Sequence, residues 1–188
     1  MPQPTDFESQ WRRIQSTAGP DLKLFRVRID EMRNPRNGQT GQMIVLEAPD
    51  SVNVIALTPQ QEIVFVRQYR FGVHRPVPEL PGGIVDPGED HGVAAARELK
   101  EETGNTASDW QYLGAIASNP VFMNSYVHHW LARNIELTDD QSLDPTEAVE
   151  VVKIPLQDVY QQWRSGQFEH PHTVNALLRF FSFDNFIP

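Results

Sequence analysis

Gly83-Ile-Val-Asp-Pro-Gly-Glu89, then seven residues, then Arg97-Glu98-Leu99-Lys100-Glu101-Glu102-Thr103-Gly104, is the stretch that decides how the chain is read. Its second half predicts a helix over 91–103, with Gly104 as the C-terminal cap, because glycine adopts the left-handed geometry that ends a helix. Each residue turns the helix by about 100°. Val93, Ala96, Leu99 and Thr103 are therefore expected on one face, buried against a sheet. Glu98, Glu101 and Glu102 are expected together on the opposite face, at spacings of three and four. Ala94 and Ala95 leave open space one turn before Glu98. Clustered carboxylates repel unless a positive charge sits among them. Arg97 can pair with Glu101, which leaves two uncompensated. Hard oxygen ligands on a rigid element suit Mg²⁺ or Mn²⁺. On this helix alone, a solvated acidic face is an equally open reading.

The residues before the helix tip that balance. Gly82-Gly83 permits a close backbone approach, Asp86-Pro87-Gly88 folds the chain back towards the helix start, and Glu89 stands at its mouth. Further out, β-rich runs at 52–57 and 63–69 flank the turn Thr58-Pro-Gln-Gln-Glu62, and Glu79-Leu80 reads as a strand end. Later strands are expected at 111–116, 126–132 and 149–154, with helices at 156–163 and 172–183. Strands alternating with helices, with hairpins among them, predict a mixed sheet covered by helices, an α/β (α+β) class. Towards the N-terminus, Phe7, Trp11 and Ile14 form a short apolar-spaced segment. Leu22-Lys-Leu-Phe-Arg-Val-Arg-Ile29 and Met43-Ile-Val-Leu46, joined by Asn34-Pro-Arg-Asn-Gly38, predict a β-hairpin. The chain is thus expected to divide into a 1–47 hairpin subdomain and a 48–188 main domain. A hairpin this small is marginal alone and needs cover from the main domain or another subunit.

Composition narrows the function. With 188 residues and 39% hydrophobic content the chain can bury a full core. Cysteine is absent, which excludes disulfides and thiolate metal sites. A net charge of −9 argues against a surface that coats nucleic acid, though not against a phosphate ligand held through cations. No apolar run is long enough for a bilayer, and the first residues lack a secretory pattern, so the expected location is cytoplasmic.

The quoted stretch resembles the Nudix box: glycine, five residues, glutamate, seven residues, then Arg-Glu, an aliphatic, any residue, Glu-Glu, any residue, glycine and an aliphatic. Only Asn105 departs, standing where an aliphatic is usual, a change expected to loosen the packing after the helix. The resemblance implies an α/β/α sandwich, a divalent cation (Mg²⁺ or Mn²⁺), and hydrolysis of compounds in which a nucleoside diphosphate is joined to another group. It makes Glu98, Glu102 and the carbonyl of Gly82 metal ligands, and Glu101 a further ligand or proton acceptor. Arg97 becomes the residue that orients the acids, with Glu89 in support.

The resemblance runs over roughly 22–181. Gln68-Tyr69-Arg70, Glu79-Leu-Pro-Gly-Gly83 and Asn119-Pro120 are similar to the subgroup of ADP-ribose pyrophosphatases and nucleoside diphosphate sugar hydrolases. It implies substrate contacts for Arg70 and Glu79; singly, each would read as a surface ion. Such enzymes often carry a glutamate in the loop after this proline, where Ser125 stands here. A serine cannot serve as the base unaided, so Glu101, Glu147, Glu150 and a water held only by metals stay open for that role and the broader nucleoside diphosphate sugar label is favoured. Phe122, in the same loop, is the preferred aromatic contact, although aromatics of strand-rich segments usually pack in a core. His128 and His129 are adjacent on a strand and point to opposite faces, which speaks against a metal pair. Leu177-Leu-Arg-Phe-Phe181 reads as core. Relatives in the subgroup exchange their N-terminal part in a homodimer, and Phe25, Val27 and Ile29 offer an apolar face for that. A ligand-binding regulator and an isoprenoid diphosphate isomerase are the other classes on this scaffold. The isomerase would want the cysteine that is missing.

Overall fold

In the computed structural model, residues 11–143, 145 and 147–183 are described; Phe7 lies outside them. The chain divides into two compact units.

The first unit takes in residues up to Pro49 together with Ala117–Ser125. Its centre is an antiparallel sheet of β1 (Arg12–Asp21), β2 (Arg26–Arg33) and β3 (Thr40–Glu47), in that order. The expected hairpin is therefore a three-stranded meander. The run read as one strand from Leu22 begins its strand only at Arg26. Residues 22–25 instead reverse the chain after β1: the Leu22 N–H donates to the Phe25 carbonyl and Lys23 takes a φ of 69°. Strand β1 escaped the sequence reading because it is exposed on both faces and shows no apolar alternation. The second turn is the expected one, with Gly38 at φ 71°. Within the same unit the 117–125 segment continues the sheet's hydrogen bonding, the Leu46 N–H donating to the Phe122 carbonyl at 2.7 Å.

The second unit is an α/β/α sandwich. Its six-stranded sheet runs β11 (Val149–Pro155), β5 (Glu62–Arg70), β4 (Ser51–Leu57), β9 (Tyr126–Arg133), β8 (Asp109–Ala117), with β6 (Arg75–Glu79) paired on β5. Strands β4 and β9 are parallel; β5 pairs antiparallel with β4, β6 and β11, so the sheet is mixed. Alternation along β4 sends Val52, Val54 and Ala56 towards helix α1 (His91–Thr103), where they pack with Ala94, Ala95 and Leu99. Ile55 and Leu57 face the other way, with Ile63, Phe65 and Leu131, and are covered by α2 (Leu156–Arg164) and α3 (Pro171–Phe183). Leu177, Phe180 and Phe181 lie in that second core as expected. No helix among the described residues is long and apolar enough to cross a membrane.

Asn105 does not loosen the end of α1. It is buried, its side-chain amide donates to the Thr103 carbonyl at 2.9 Å, and it pairs with Leu137 where β7 (Asn105–Thr106) meets β10 (Glu136–Leu137). A short polar side chain that satisfies backbone groups does the work expected of an aliphatic one.

Candidate active site

Helix α1 starts at Asp90, whose carboxylate accepts from the Gly92 and Val93 N–H groups, and ends at Gly104, which takes a φ of 70° and donates to the Lys100 carbonyl. Its buried residues are Ala94, Ala95, Leu99, Glu102 and Thr103. The expected division of faces is thus corrected. Val93 and Ala96 are exposed, the two alanines fill the core instead of leaving space, and Glu102 belongs to the buried side. Small alanines win that face because α1 packs tightly on β4, where Val52, Val54 and Ala56 already supply the bulk.

Glu102 is only 3% exposed and its Oε2 accepts the Gly82 N–H at 2.8 Å. Burial pushes its carboxyl up to about 8, helped by the neighbouring charges of Glu98 and Glu147 and opposed by the Gly82 hydrogen bond. Glu98 is also raised, again mainly by burial. The 81–83 segment lies along β4, Val54 N–H donating to Pro81 O and Val52 N–H to Gly83 O. At Gly82 a Cβ would lie 2.0 Å from the Val52 carbonyl oxygen, and at Gly83 it would lie 2.4 Å from a Glu98 carboxylate oxygen. Gly82 is required by the Val52 backbone, whereas at Gly83 the space belongs to the Glu98 carboxylate.

Arg97 organises the rest. Its Nε and Nη2 donate to the two oxygens of Glu89, its Nη1 to Glu98 at 2.8 Å and Glu101 at 3.0 Å, and its Nη2 also to the Ile84 carbonyl. All five guanidinium N–H groups are matched to acceptors, which lysine could not do. The hydrogen bond to Glu89 does most to hold Arg97 charged, and in turn Arg97 lowers the Glu89 carboxyl. Among the described residues no three acidic or histidine side chains converge as a ready cation cage. Arg97 draws Glu98 and Glu101 to itself, whereas Glu102 is held by Gly82.

Beside this cluster Arg70 binds Glu79 through two hydrogen bonds of 2.6 Å. Glu79 is 2% exposed, so its carboxylate is engaged by the arginine and lies deep in the fold. Arg70 is held charged chiefly by Glu79, and it also feels Glu102 and Glu147. Of the open candidates for a base, Glu101 is bonded to Arg97 and Glu150 pairs with Arg67 at 3.2 Å. Glu147 acts on Glu98, Glu102 and Arg70 alike.

In the first unit, Ser125 is buried and its hydroxyl bonds to Ser118 at 3.0 Å, closing the base of its own loop, while Phe122 is 41% exposed. The two histidines do face apart. His129 is fully buried, and His128 stacks on His91 with ring centres 4.1 Å apart. Sequence reading missed two groups. One is the set His91, Tyr112, His128 and Asp50, in which His128 joins the Tyr112 hydroxyl to the Asp50 carboxylate. The other is the approach of His170 to Glu79 at 3.5 Å. Neither carries a spacing signal, because the partners come from separate elements.

The donor set fits a hard divalent cation. The buried Glu102 and the partly buried Glu98, both raised mainly by desolvation and further by neighbouring carboxylates, are groups whose charged form such an ion stabilises, with backbone close by at Gly82.

The model of the NUDIX domain matches residues 47–174. The chain is 31% identical over 156 residues to the methanol dehydrogenase activator of Bacillus methanolicus, covering 82% of this chain and 84% of that one. It is 30% identical over 156 residues to the ADP-ribose pyrophosphatase of Bacillus subtilis, with the same coverage. A crystal structure of an ADP compounds hydrolase superposes with a TM-score of 0.82 over 94% of this chain and 95% of the other, at 22% identity, and shows the shared fold. Together with the box, complete except at Asn105, these matches show that the chain belongs to the NUDIX family, in the group that includes the ADP-ribose pyrophosphatases.

Proposed function

We propose that this pyrophosphohydrolase cleaves the diphosphate bridge of ADP-ribose-like nucleoside diphosphate sugars, releasing a nucleoside monophosphate and a sugar phosphate, with Mg²⁺ or Mn²⁺ as cofactor. The observation that carries the reading is the buried Glu102 and the partly buried Glu98 on one helix, both carboxyls raised mainly by desolvation, with the Gly82 backbone against Glu102. Glu98 and Glu102, with Glu101 and the Gly82 carbonyl, would hold the metal. A bound divalent cation there supplies neutralisation of phosphate charge and a more acidic water.

The chain's own groups do the rest. Arg70 spends its Nε and one Nη2 hydrogen on Glu79, which leaves its remaining N–H groups to bind diphosphate oxygens. Arg97 and Glu89 fix the carboxylates in place. Glu101 and Glu147 are the carboxylates available to take the proton of the attacking water, Glu101 beside Glu102 on the helix and Glu147 with its charge felt at Glu98, Glu102 and Arg70. The water oxygen bonds to one phosphorus, the bridging P–O bond breaks, and the bridging oxygen leaves with the other phosphate.

A homodimer remains part of this reading. Leu22, Leu24, Met43 and Ile44 of the first unit are each more than two-fifths exposed, apolar side chains on both faces of its sheet and at its turn that a second copy could cover. A monomeric mass at micromolar concentration would overturn it. The relative named an activator is the observation that favours a second, regulatory reading. Incubation of purified protein with Mg²⁺ and ADP-ribose, nucleotide sugars, dinucleoside polyphosphates or nucleoside triphosphates separates the two. Release of AMP and ribose phosphate is the expected result. Tight binding without turnover of any compound would replace the enzymatic reading with the regulatory one.

A further inference from the structure

The last helix begins against the strand that carries Glu79. His170 supplies the carbonyl that accepts the Val174 N–H, and Pro171 occupies the first helical position, where its missing N–H costs nothing. From this helix start two side chains reach back to β6. The Thr173 hydroxyl, fully buried, accepts the Leu80 N–H at 3.2 Å. It also meets His170 Nδ1 at 3.3 Å. His170 Nε2 then lies 3.5 Å from Glu79 Oε2. Arg75, at the other end of β6, pairs with Glu169.

One arrangement of hydrogens serves every member of this network: Thr173 accepts from Leu80 and donates to Nδ1 of His170, and the single proton of a neutral imidazole sits on Nε2, on the side of the Glu79 carboxylate. The groups around His170 are Glu79, Arg70, His172 and Thr173, and burial favours its neutral form. Glu79, which grips Arg70 at both oxygens, thus also has His170 Nε2 3.5 Å from one of them, an electrostatic contact longer than a normal hydrogen bond.

We infer that His170, with Thr173 behind it, is a positioning residue for the substrate site: it sets the orientation of the buried Glu79 carboxylate and, through it, of the half-exposed Arg70 guanidinium. Arg70 has 46% of its side chain in solvent, so little else restrains it beyond Glu79. The inference rests on the reading of Arg70 as a diphosphate contact. A merely structural helix start would affect stability and leave the binding of substrate untouched.

Two substitutions separate these roles. The amide nitrogen of glutamine falls near Nε2 of histidine, and that of asparagine near Nδ1. His170→Gln therefore keeps a donor towards Glu79, whereas His170→Asn keeps only the contact with Thr173. With ADP-ribose and saturating Mg²⁺, His170→Asn should raise KM about five-fold while kcat changes less than about two-fold, and His170→Gln should restore KM. Thermal unfolding of both variants establishes that they are folded. Arg70→Ala should raise KM by at least as much, and His170→Asn added to Arg70→Ala should raise it no further, because both act through one guanidinium. Equal KM values for wild type and folded His170→Asn, with Arg70→Ala impaired, would overturn the tether alone. An unimpaired Arg70→Ala would overturn the reading of Arg70 and the tether with it.

Discussion

The Gly82 N–H donates to Glu102 Oε2 at 2.8 Å, joining the turn after β6 to the buried side of α1. This bond ties the residue just before the box to its second half, and the glycine pair stands where an added side chain has no room. At Gly83 an added Cβ would collide with the end of a flexible Glu98 side chain, whereas at Gly82 it would collide with the backbone of Val52. Gly83→Ala should therefore lower kcat by about ten-fold or more while stability changes by about 1 kcal/mol or less. Gly82→Ala should lose both stability and activity. Thermal melts beside steady-state kinetics check this; equal losses of stability for the two variants would contradict it.

Glu102→Gln preserves shape and still accepts the Gly82 N–H, but it cannot take up the negative charge that a bound cation would stabilise. The fold should persist, with an unchanged melting temperature, and turnover of ADP-ribose should fall by about 100-fold or more. Activity close to wild type at saturating Mg²⁺ would remove Glu102 from the metal shell.

Arg97→Lys tests the five-fold match around the guanidinium. A single ammonium cannot reach Glu89, Glu98, Glu101 and the Ile84 carbonyl together. Loss of about 1–3 kcal/mol in denaturant unfolding is expected from the abandoned acceptors, with a drop in kcat. Retention of both would show that the bare charge suffices.

His129 predicts how stability follows pH. It is fully buried, neither ring nitrogen makes a hydrogen bond of normal geometry, and burial with the nearby Arg179 lowers it to about 4. Between its unfolded value near 6.5 and about 4, the unfolded chain binds a proton that the folded chain refuses. Stability is therefore full above pH 6.5 and is lost as pH falls through that window, by about 3 kcal/mol. His170 and His172 are lowered as well and act in the same direction. Urea unfolding from pH 4 to 8 should show the slope, and His129→Leu should reduce it. An unchanged slope in a folded His129→Leu would assign the effect elsewhere.

The box helix was legible residue by residue, its start, its span of 91–103 and its left-handed glycine included, because those features follow from neighbours within a few positions. The main strands of the sheet and the two later helices were legible for the same reason. Which face of α1 is buried was not. The sequence reading placed all three glutamates opposite the core from their spacing of three and four along the helix. In the fold Glu102 is inside, where the Gly82 N–H and the alanine packing against β4 hold it.

By itself, then, the sequence determined the local elements, the mixed α/β class, the acidic box and the family to which that box belongs. Only the tertiary structure decided that Arg97 serves five acceptors and that Glu102 is buried. It alone also placed Thr173 on Leu80, 93 positions away, and His170 beside Glu79. Helix period and turn chemistry act between near neighbours and are written in spacing. Burial and long-range hydrogen bonds depend on which surfaces the packed sheet and helices bring together, and spacing along the chain does not encode that.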